Sequence, residues 1–446
     1  MHFTKISLTD LINKTISMLS SIPDSSVSQT PTIVNLTNGL TIIAEQMPVD
    51  AVNLNVWLKV GSALESNEIN GMAHFLEHMV FKGTPNLKNG EFEQRIEQRG
   101  AVTNAATSQE YTHFYITSAP NDFADLVPLQ LDVIFNPIIE DGAFGREKLV
   151  VLEEIRRSYD NPSRRTFYRA METCFDTLPY RRPVLGPADV IEGLTPQQMR
   201  EFHGSCYHPN SVTAVAVGNL PVEQLIDIVA DSFEKTYYQT ETFSDSLQSL
   251  SFPVSPESPF EEIIRQEYED EQLQQARLIM MWKVPGLLDL EETYGLDVLA
   301  SILGKGKTSR LFQDLREDKN LVSHISVSNM TQKVQGMFYI AAKLEKENVP
   351  EVEKIITQHL QSIQKESIKE EELNRIKRQA VNRFIFNNER PSDRTNLYGY
   401  YYSQMQSLNP ALSYPQVIQS LTTDDIQNAA RKYLDPNAYG VTIVTN

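Results

Sequence analysis

The second half of the chain repeats a pattern that is already present in the first half. The segment LTPQQMREFHGSCYHPNSVTAVAVGN begins at Leu194, and the segment LTTDDIQNAARKYLDPNAYGVTIVTN begins at Leu421. Each segment predicts a Thr-capped helix, a Pro-Asn turn and an alternating strand. Leu421 follows Leu194 by 227 positions, and Pro436 follows Pro209 by the same interval. The chain is therefore predicted to contain two homologous domains related by internal duplication.

The elements at the start of each half also correspond. The stretches VNLNVWLKV, from Val52, and ARLIMMWKV, from Ala276, each predict a half-buried strand. Because helices alternate with strands that often form hairpins, the pattern favours an α+β fold over a doubly wound parallel sheet. We expect two α/β-sandwich domains, each with an antiparallel-rich sheet covered by helices.

Composition predicts the boundaries between these parts. Residues 1–31 form an N-terminal extension, in which an apolar stripe predicts a short helix. A Ser/Pro-rich stretch without periodicity predicts a linker over residues 241–261. The first domain then covers residues 32–240, and the second covers residues 262–446.

Charge and cysteine content exclude several classes of protein. The formal net charge of −18 disfavours nucleic acid as a partner, because phosphate binding requires an excess of Lys and Arg. No run of apolar residues is long enough to predict a membrane span. Only two cysteines are present, too few for a disulfide scaffold of 446 residues, so a reducing compartment is favoured. With no signal-peptide pattern, we expect a cytoplasmic protein.

The segment GMAHFLEHMVFKGT contains the pattern His-x-x-Glu-His, formed by His74, Glu77 and His78. On a helix these positions share one face, so both imidazoles can meet one metal ion. Glu77 then lies beside the metal, where it can take a proton from water without being a ligand. A similar His pair can also occur on an ordinary surface or in a core, but the surrounding apolar run argues against an exposed face.

A catalytic zinc needs a third protein ligand and an open position for water. The helical stretch FGREKLVVLEEIRRSYDNP supplies candidates, since Glu147 and Glu154 lie on one face two turns apart. Glu153 points about 100° away from them. One carboxylate of the aligned pair is expected to bind the metal and the other to support the ligand set.

These motifs resemble the pitrilysin/insulinase family of zinc metallopeptidases. The resemblance rests on HFLEHMVFKGT, on EKLVVLEEI and on the two-half layout, and it extends from about residue 32 to the end. Within the family the chain is similar to short members, namely the β-like subunits of mitochondrial processing peptidase and bacterial processing-protease-like proteins. The resemblance implies Zn²⁺ on His74, His78 and Glu154, with Glu77 as catalytic base. It also implies that Glu147 supports the ligands.

The segment GAVTNAATSQEYTHFY predicts an edge strand with small side chains, which can accept a peptide as an added strand. The alternative is an ordinary strand with no binding role. The family resemblance implies that Asn104 and Ala105 lie where this strand pairs with the backbone of a peptide substrate.

One segment departs from the family pattern. The family carries an Arg and, seven positions later, a Tyr that help to hold substrate near the zinc. Here the segment reads LREDKNLVSHIS, so Arg316 matches the Arg and Ser323 replaces the Tyr, with His324 beside it. A clamshell-type dimer is expected, because long members enclose substrate with four such domains and this chain has two. We favour a heterodimer with an Arg/Tyr-bearing subunit, and a homodimer is the alternative.

The predicted function is zinc-dependent hydrolysis of peptide bonds in unstructured peptides or precursor segments. Two alternatives belong to other classes. In one, the chain is a non-catalytic core or recognition subunit. In the other, zinc binds in a protein without hydrolytic activity. This alternative assigns no role to Glu77.

Overall fold

A computed structural model describes residues 30–237 and 255–446. The predicted N-terminal helix and most of the predicted linker lie outside these residues, so the proposed domain boundaries remain predictions. No described helix combines the length and the apolar character that crossing a bilayer requires. Cys174 and Cys206 are both buried and neither forms a disulfide.

The first half forms a six-stranded sheet. Its strands are β1 (Thr32–Asn35), β2 (Thr41–Gln46), β3 (Val52–Leu58), β4 (Val102–Thr107), β5 (Thr112–Ser118) and β6 (Val212–Gly218). They lie in the order β1-β2-β6-β3-β5-β4. Only the pairing of β2 with β6 is parallel. The first and last strands of this order, β1 and β4, are the sheet edges.

The second half repeats this sheet without the first strand. Its strands are β7 (Ile264–Glu269), β8 (Ala276–Pro285), β9 (Val322–Met330), β10 (Gln335–Leu344) and β11 (Gly440–Thr445). They lie in the order β7-β11-β8-β10-β9, and only β7 and β11 pair in parallel. The order and directions match those of β2-β6-β3-β5-β4. The predicted α+β fold with two homologous, antiparallel-rich sheets is therefore confirmed.

Helices occupy most of the remaining chain. In the first half they are α1 (Met72–Met79), α2 (Glu91–Gln98), α3 (Phe123–Phe135), α4 (Asp141–Asp160), α5 (Pro162–Cys174), α6 (Ala188–Gly193), α7 (Pro196–Cys206) and α8 (Val222–Thr236). In the second half they are α9 (Thr293–Gly304), α10 (Val349–Lys365), α11 (Glu370–Phe386), α12 (Pro391–Met405), α13 (Asn409–Ser420) and α14 (Thr423–Tyr433). A π-helical segment, Phe312–Asp318, lies between α9 and β9.

Each sheet has one face covered by helices of its own half and the other by a helix of the opposite half. On the first sheet, Trp57 and Val215 pack against Tyr398 of α12. On the second sheet, Met281 packs in one cluster with Met171 of α5. The helices α5 and α12 occupy equivalent positions in the duplication. Because each of these helices packs on the sheet of the opposite half, apolar contacts join the two halves. Burial of apolar surface is the largest stabilising contribution at such interfaces.

The contact between α12 and the first sheet predicts a large effect of adding one methyl group at Gly399. A Cβ at this buried position would lie 2.0 Å from Nε1 of Trp57. Because the indole is 3% exposed, it has little room to move. Gly399→Ala is expected to lower the free energy of unfolding by about 3 kcal/mol, measured by urea denaturation.

The matched control is Gly145→Ala, in an exposed part of α4 where an added Cβ meets no atom within 4 Å. This control is expected to leave stability unchanged or to raise it by up to about 1 kcal/mol, through helix propensity. Equal stability of Gly399→Ala and the wild type would contradict the close packing of α12 on β3.

A buried ion pair attaches the end of the predicted linker to both halves. Glu257 accepts hydrogen bonds from the backbone N–H groups of Asp176, Thr177 and Leu178, and from Nζ of Lys283 at 2.8 Å. The side chains of Glu257 and Lys283 are only 10% and 5% exposed. Burial opposes ionisation of the carboxyl, but the ammonium and the amides outweigh it and lower the pKa of Glu257 from 4.5 to about 2.

This lowered pKa predicts a pH-dependent contribution to stability. Since the folded state holds the proton less tightly than the unfolded state, the contribution is complete above pH 4.5 and is lost as the pH falls towards 2. Glu257→Gln is expected to lower the free energy of unfolding by about 2 kcal/mol at pH 7. This value is smaller than the pKa shift alone implies, because solvent partly screens the charges. Urea denaturation at several pH values should show this difference shrinking below pH 4.5, whereas a constant difference would contradict the assignment.

Candidate metal centre

Helix α1 carries the His-x-x-Glu-His motif and is fixed at its start by a buried carboxylate. Glu65 accepts hydrogen bonds from the N–H groups of Gly71 and Ala73, which satisfies two donors at the helix N-terminus. Gly71 has a φ of +98°, and a Cβ there would lie 2.6 Å from Leu185 O. A tight turn that favours glycine therefore sets the direction in which α1 leaves the loop.

The apolar residues of α1 face the core of the first half, so the polar residues of the motif face α4. The buried apolar residues are Met72, Ala73, Phe75, Leu76 and Met79. Three side chains meet between α1 and α4, as the sequence predicts. Nε2 of His74 lies 3.6 Å from Oε2 of Glu154, and Nε2 of His78 lies 3.5 Å from the same oxygen. The ligand atoms of the three residues all lie within 4.8 Å of one another.

The two separations from Glu154, 3.6 and 3.5 Å, fit a zinc ion. Tetrahedral zinc with bonds of about 2.0–2.1 Å places neighbouring ligand atoms about 3.4 Å apart. The protonation state of His74 also fits, because burial and the charge of His78 lower the pKa of His74 to about 4, whereas Glu154 and Glu147 outweigh burial and raise the pKa of His78. Neutral imidazole, the form that binds metal, is therefore favoured for His74 at neutral pH. Among the described residues this is the group of His, Cys, Asp and Glu side chains suited to a metal ion.

Glu147 supports His78 from the side away from the cluster. Its Oε1 lies 3.0 Å from Nδ1 of His78, and its Oε2 lies 2.8 Å from Nζ of Lys82. Burial opposes its ionisation, but Lys82 and His78 outweigh this effect and lower the pKa of Glu147. An ionised Glu147 accepts a hydrogen bond from Nδ1–H of His78, which leaves the Nε2 lone pair directed at the metal position. In contrast, the buried Nδ1 of His74 has no partner among the described residues.

Glu77 lies on the same helix but outside the three-residue cluster. Its carboxylate accepts a 2.5 Å hydrogen bond from Oγ1 of Thr107, the last residue of β4. Burial raises the pKa of Glu77, although the Thr107 hydrogen bond and the charge of His78 oppose this. A buried carboxylate with a raised pKa beside a metal position has the properties of a general base.

The predicted peptide-binding strand is at the sheet edge. In β4, Asn104 is exposed and Ala105 is half-buried, and they pair with Tyr115 and Phe114 of β5. Because β4 ends the strand order, its other edge is not paired within the sheet. The structure thus places both residues where an added strand can bind, while their contact with a substrate remains a prediction.

Arg316 does not join the metal cluster. It lies in the π-helical segment of the second half, with its guanidinium 4.8 Å from the centre of the Phe312 ring. It lines a cavity together with His324, and the residues around this cavity all belong to the second half. Oγ of Ser323 donates a hydrogen bond to Oε1 of Gln275 at 2.7 Å.

Sequence reasoning missed three residues that contact or influence the cluster. Lys82 follows His78 by four positions, so helical spacing would have revealed its approach to Glu147. Thr107 lies on the half-buried side of β4, which the alternation of the strand indicates. Arg164 of α5 helps to lower the pKa of Glu154 through its charge, and no sequence pattern signals that contact.

Comparison with known proteins agrees with this architecture. The family described as Insulinase (Peptidase family M16) matches residues 40–188, and the Peptidase M16 inactive domain matches residues 193–380. The chain belongs to peptidase family M16. The second match begins near the end of the first half and extends through the larger part of the second half, which lacks the motif.

The relatives are similar along almost the whole chain. An uncharacterized zinc protease of Rickettsia felis is 28% identical over 401 residues, covering 90% of this chain and 94% of that protein. Zinc protease PqqE of Helicobacter pylori is 27% identical over 90% of this chain and 89% of that protein. The crystal structure of a protease from Helicobacter pylori has a TM-score of 0.85 at 25% identity, covering 94% of this chain and 99% of that chain.

Proposed function

We propose that this chain is a zinc-dependent metalloendopeptidase that hydrolyses peptide bonds of unstructured peptides or precursor segments. The observation that carries the proposal is the meeting of His74, His78 and Glu154 with Glu77 beside them. When bound, zinc supplies a Lewis acid that polarises the scissile carbonyl and lowers the pKa of water. The names of the relatives, which are zinc proteases, support the same reaction.

Residues of the chain itself transfer the proton, orient the catalytic side chains and bind the peptide. Glu77 takes a proton from the attacking water and later passes it to the leaving amine. Thr107 orients the Glu77 carboxylate, and Glu147 fixes the His78 ring. The free edge of β4 receives the peptide as an added strand, so binding depends on main-chain hydrogen bonds and tolerates many sequences.

Hydrolysis of a quenched, unstructured peptide by the purified full chain tests the proposal. We expect cleavage that stops when a chelator removes the metal and returns when zinc is restored. Cleavage that persists without metal would contradict the proposal. Mass spectrometry of the products would show whether internal bonds are cut, as an endopeptidase requires.

The Thr107 hydrogen bond predicts a smaller effect on the same reaction. Thr107→Val keeps the shape of the side chain but removes the donor to Glu77, so kcat is expected to fall about ten-fold with little change in KM. Thr103→Val is the matched control, since Thr103 lies on the same strand and donates to Tyr115 O instead. An equal loss in both variants would indicate damage to β4 rather than to the orientation of Glu77.

We further propose that the chain works inside a two-chain chamber, with a related Arg/Tyr-bearing subunit as the favoured partner. Ser323 supports this proposal, because its hydroxyl is already hydrogen-bonded to Gln275. The Ser side chain is also shorter than that of Tyr, so it cannot reach a substrate as a Tyr phenol can. Light scattering and peptide hydrolysis of the isolated chain test it. A zinc-bound chain that stays monomeric and cleaves the peptide only weakly supports the heterodimer, whereas full activity as a dimer of this chain contradicts it.

A further inference from the structure

The duplication places a cavity in the second half where the first half has its metal cluster. In chain order and sheet position, α9, β9 and α11 are the counterparts of α1, β4 and α4. A cavity of about 890 Å³ lies among these three elements. The end of α9 carries Ser301 and Gly304, followed by Lys305, so no His pair is repeated there. The site is therefore chemically different from its counterpart.

Four cationic side chains line this cavity: Lys305, Lys307, Arg316 and Arg383. Within residues 30–237 and 255–446, none of the four forms an ion pair with a carboxylate, although Arg316 stacks on a Phe ring. In contrast, Arg310, which lies outside the cavity lining, is paired with Glu372. Although acidic residues outnumber Lys and Arg by 58 to 40 in this chain, four cations gather around this one cavity.

The acidic and titratable groups that face the cavity do not neutralise it. The Asp297 carboxylate accepts a hydrogen bond from Asn329, and burial raises the pKa of Asp297 to about 6. Asp393, at the start of α12, is the other acidic residue of the lining. His324 also faces the cavity, and burial together with the charges of Lys343 and Arg316 lowers its pKa. The cavity is left with a net positive charge.

Apolar side chains lie beside these cations. Phe384 and Tyr414 line the cavity, and their rings stack with centres 5.0 Å apart. A small inorganic anion makes no favourable contact with apolar side chains. A peptide that carries both carboxylates and apolar side chains complements both parts of the cavity.

We infer that this cavity binds an acidic peptide segment. Its carboxylates meet Lys305, Arg383 and their cationic neighbours, and its apolar side chains contact the rings of Phe384 and Tyr414. The volume falls within the range of about 300–1,000 Å³ that is typical of ligand sites. The inference stands on the second half alone and does not depend on hydrolysis at the first.

Fluorescence anisotropy of a labelled Asp/Glu-rich peptide with interspersed Phe residues tests this inference. The full chain carrying Glu77→Gln is used as the background, so that cleavage cannot consume the probe. We expect saturable binding that weakens with added salt, since the contacts are charged. Adding Arg383→Glu is expected to weaken binding by at least about ten-fold, because it reverses one charge of the site.

The matched control is Arg378→Glu, an exposed position on the same helix outside this cavity, which should change binding less than two-fold. Lys307→Glu, at an exposed loop position, provides a second variant if Arg383→Glu does not fold. Equal peptide binding in the cavity variants and the background would overturn the inference. Binding of inorganic tripolyphosphate without binding of the peptide would overturn the assignment to a peptide, and binding of neither would overturn the site.

Discussion

Glu77→Gln is expected to lower the rate of peptide hydrolysis by about 10³-fold while zinc content stays at the wild-type level. The amide keeps the size of the carboxylate and can still contact Thr107, but it cannot take a proton from water. General bases contribute about 10²- to 10⁴-fold to such reactions. Because Glu77 lies outside the three-residue cluster, its replacement leaves the metal ligands in place. Steady-state kinetics and metal analysis of the same preparation measure both quantities.

Glu97→Gln is the matched control, because Glu97 is an exposed carboxylate on α2. It is expected to keep wild-type activity. Retention of more than a tenth of the activity in Glu77→Gln would contradict the role of Glu77 as the general base. Loss of zinc together with activity would instead place Glu77 among the ligands.

Glu154→Gln is expected to weaken zinc binding by at least about 100-fold, the loss that removal of supporting contacts alone can cause. The carboxylate is the shared neighbour of both imidazoles, at 3.6 and 3.5 Å from their Nε2 atoms. A neutral amide supplies neither the charge nor the ligand strength of a carboxylate for zinc. Competition with a fluorescent zinc chelator measures the affinity directly and does not require a substrate.

The neighbouring carboxylate offers a close control. Glu153 pairs with Arg156 and Arg157 on the outside of α4, so Glu153→Gln should leave zinc affinity unchanged. Equal affinities in the two variants would contradict the assignment of Glu154 as the third ligand. A loss confined to Glu153→Gln would mean that α4 is rotated by about one residue step.

The meeting of His74, His78 and Glu154 could be predicted in part, because the geometry within each helix is local. Helical spacing places His74 and His78 on one face, and the same rule aligns Glu147 with Glu154. Which of the two carboxylates meets the imidazoles depends on how far α4 slides along α1, and spacing cannot fix that distance. The family resemblance resolved this point by selecting Glu154, and the structure brings that residue to the cluster.

The duplication and the antiparallel-rich sheets followed from the sequence, but the strand order and the exchange of helices did not. The amphipathic patterns of α5 and α12 show that each helix buries one face, without indicating which sheet covers it. Contacts such as Gly399 against Trp57 join residues about 340 positions apart, and only the tertiary fold brings them together. The role of Thr107 was missed for the same reason, since it depends on the end of β4 reaching α1.

The location of zinc in the purified chain tests the central claim most directly. Crystals of the full chain, prepared without chelators, would be measured at the zinc absorption edge to give an anomalous difference map. We predict one strong peak within about 2.0–2.2 Å of Nε2 of His74, Nε2 of His78 and a carboxylate oxygen of Glu154. The absence of a peak between α1 and α4, or a peak at any other group of side chains, would contradict the account.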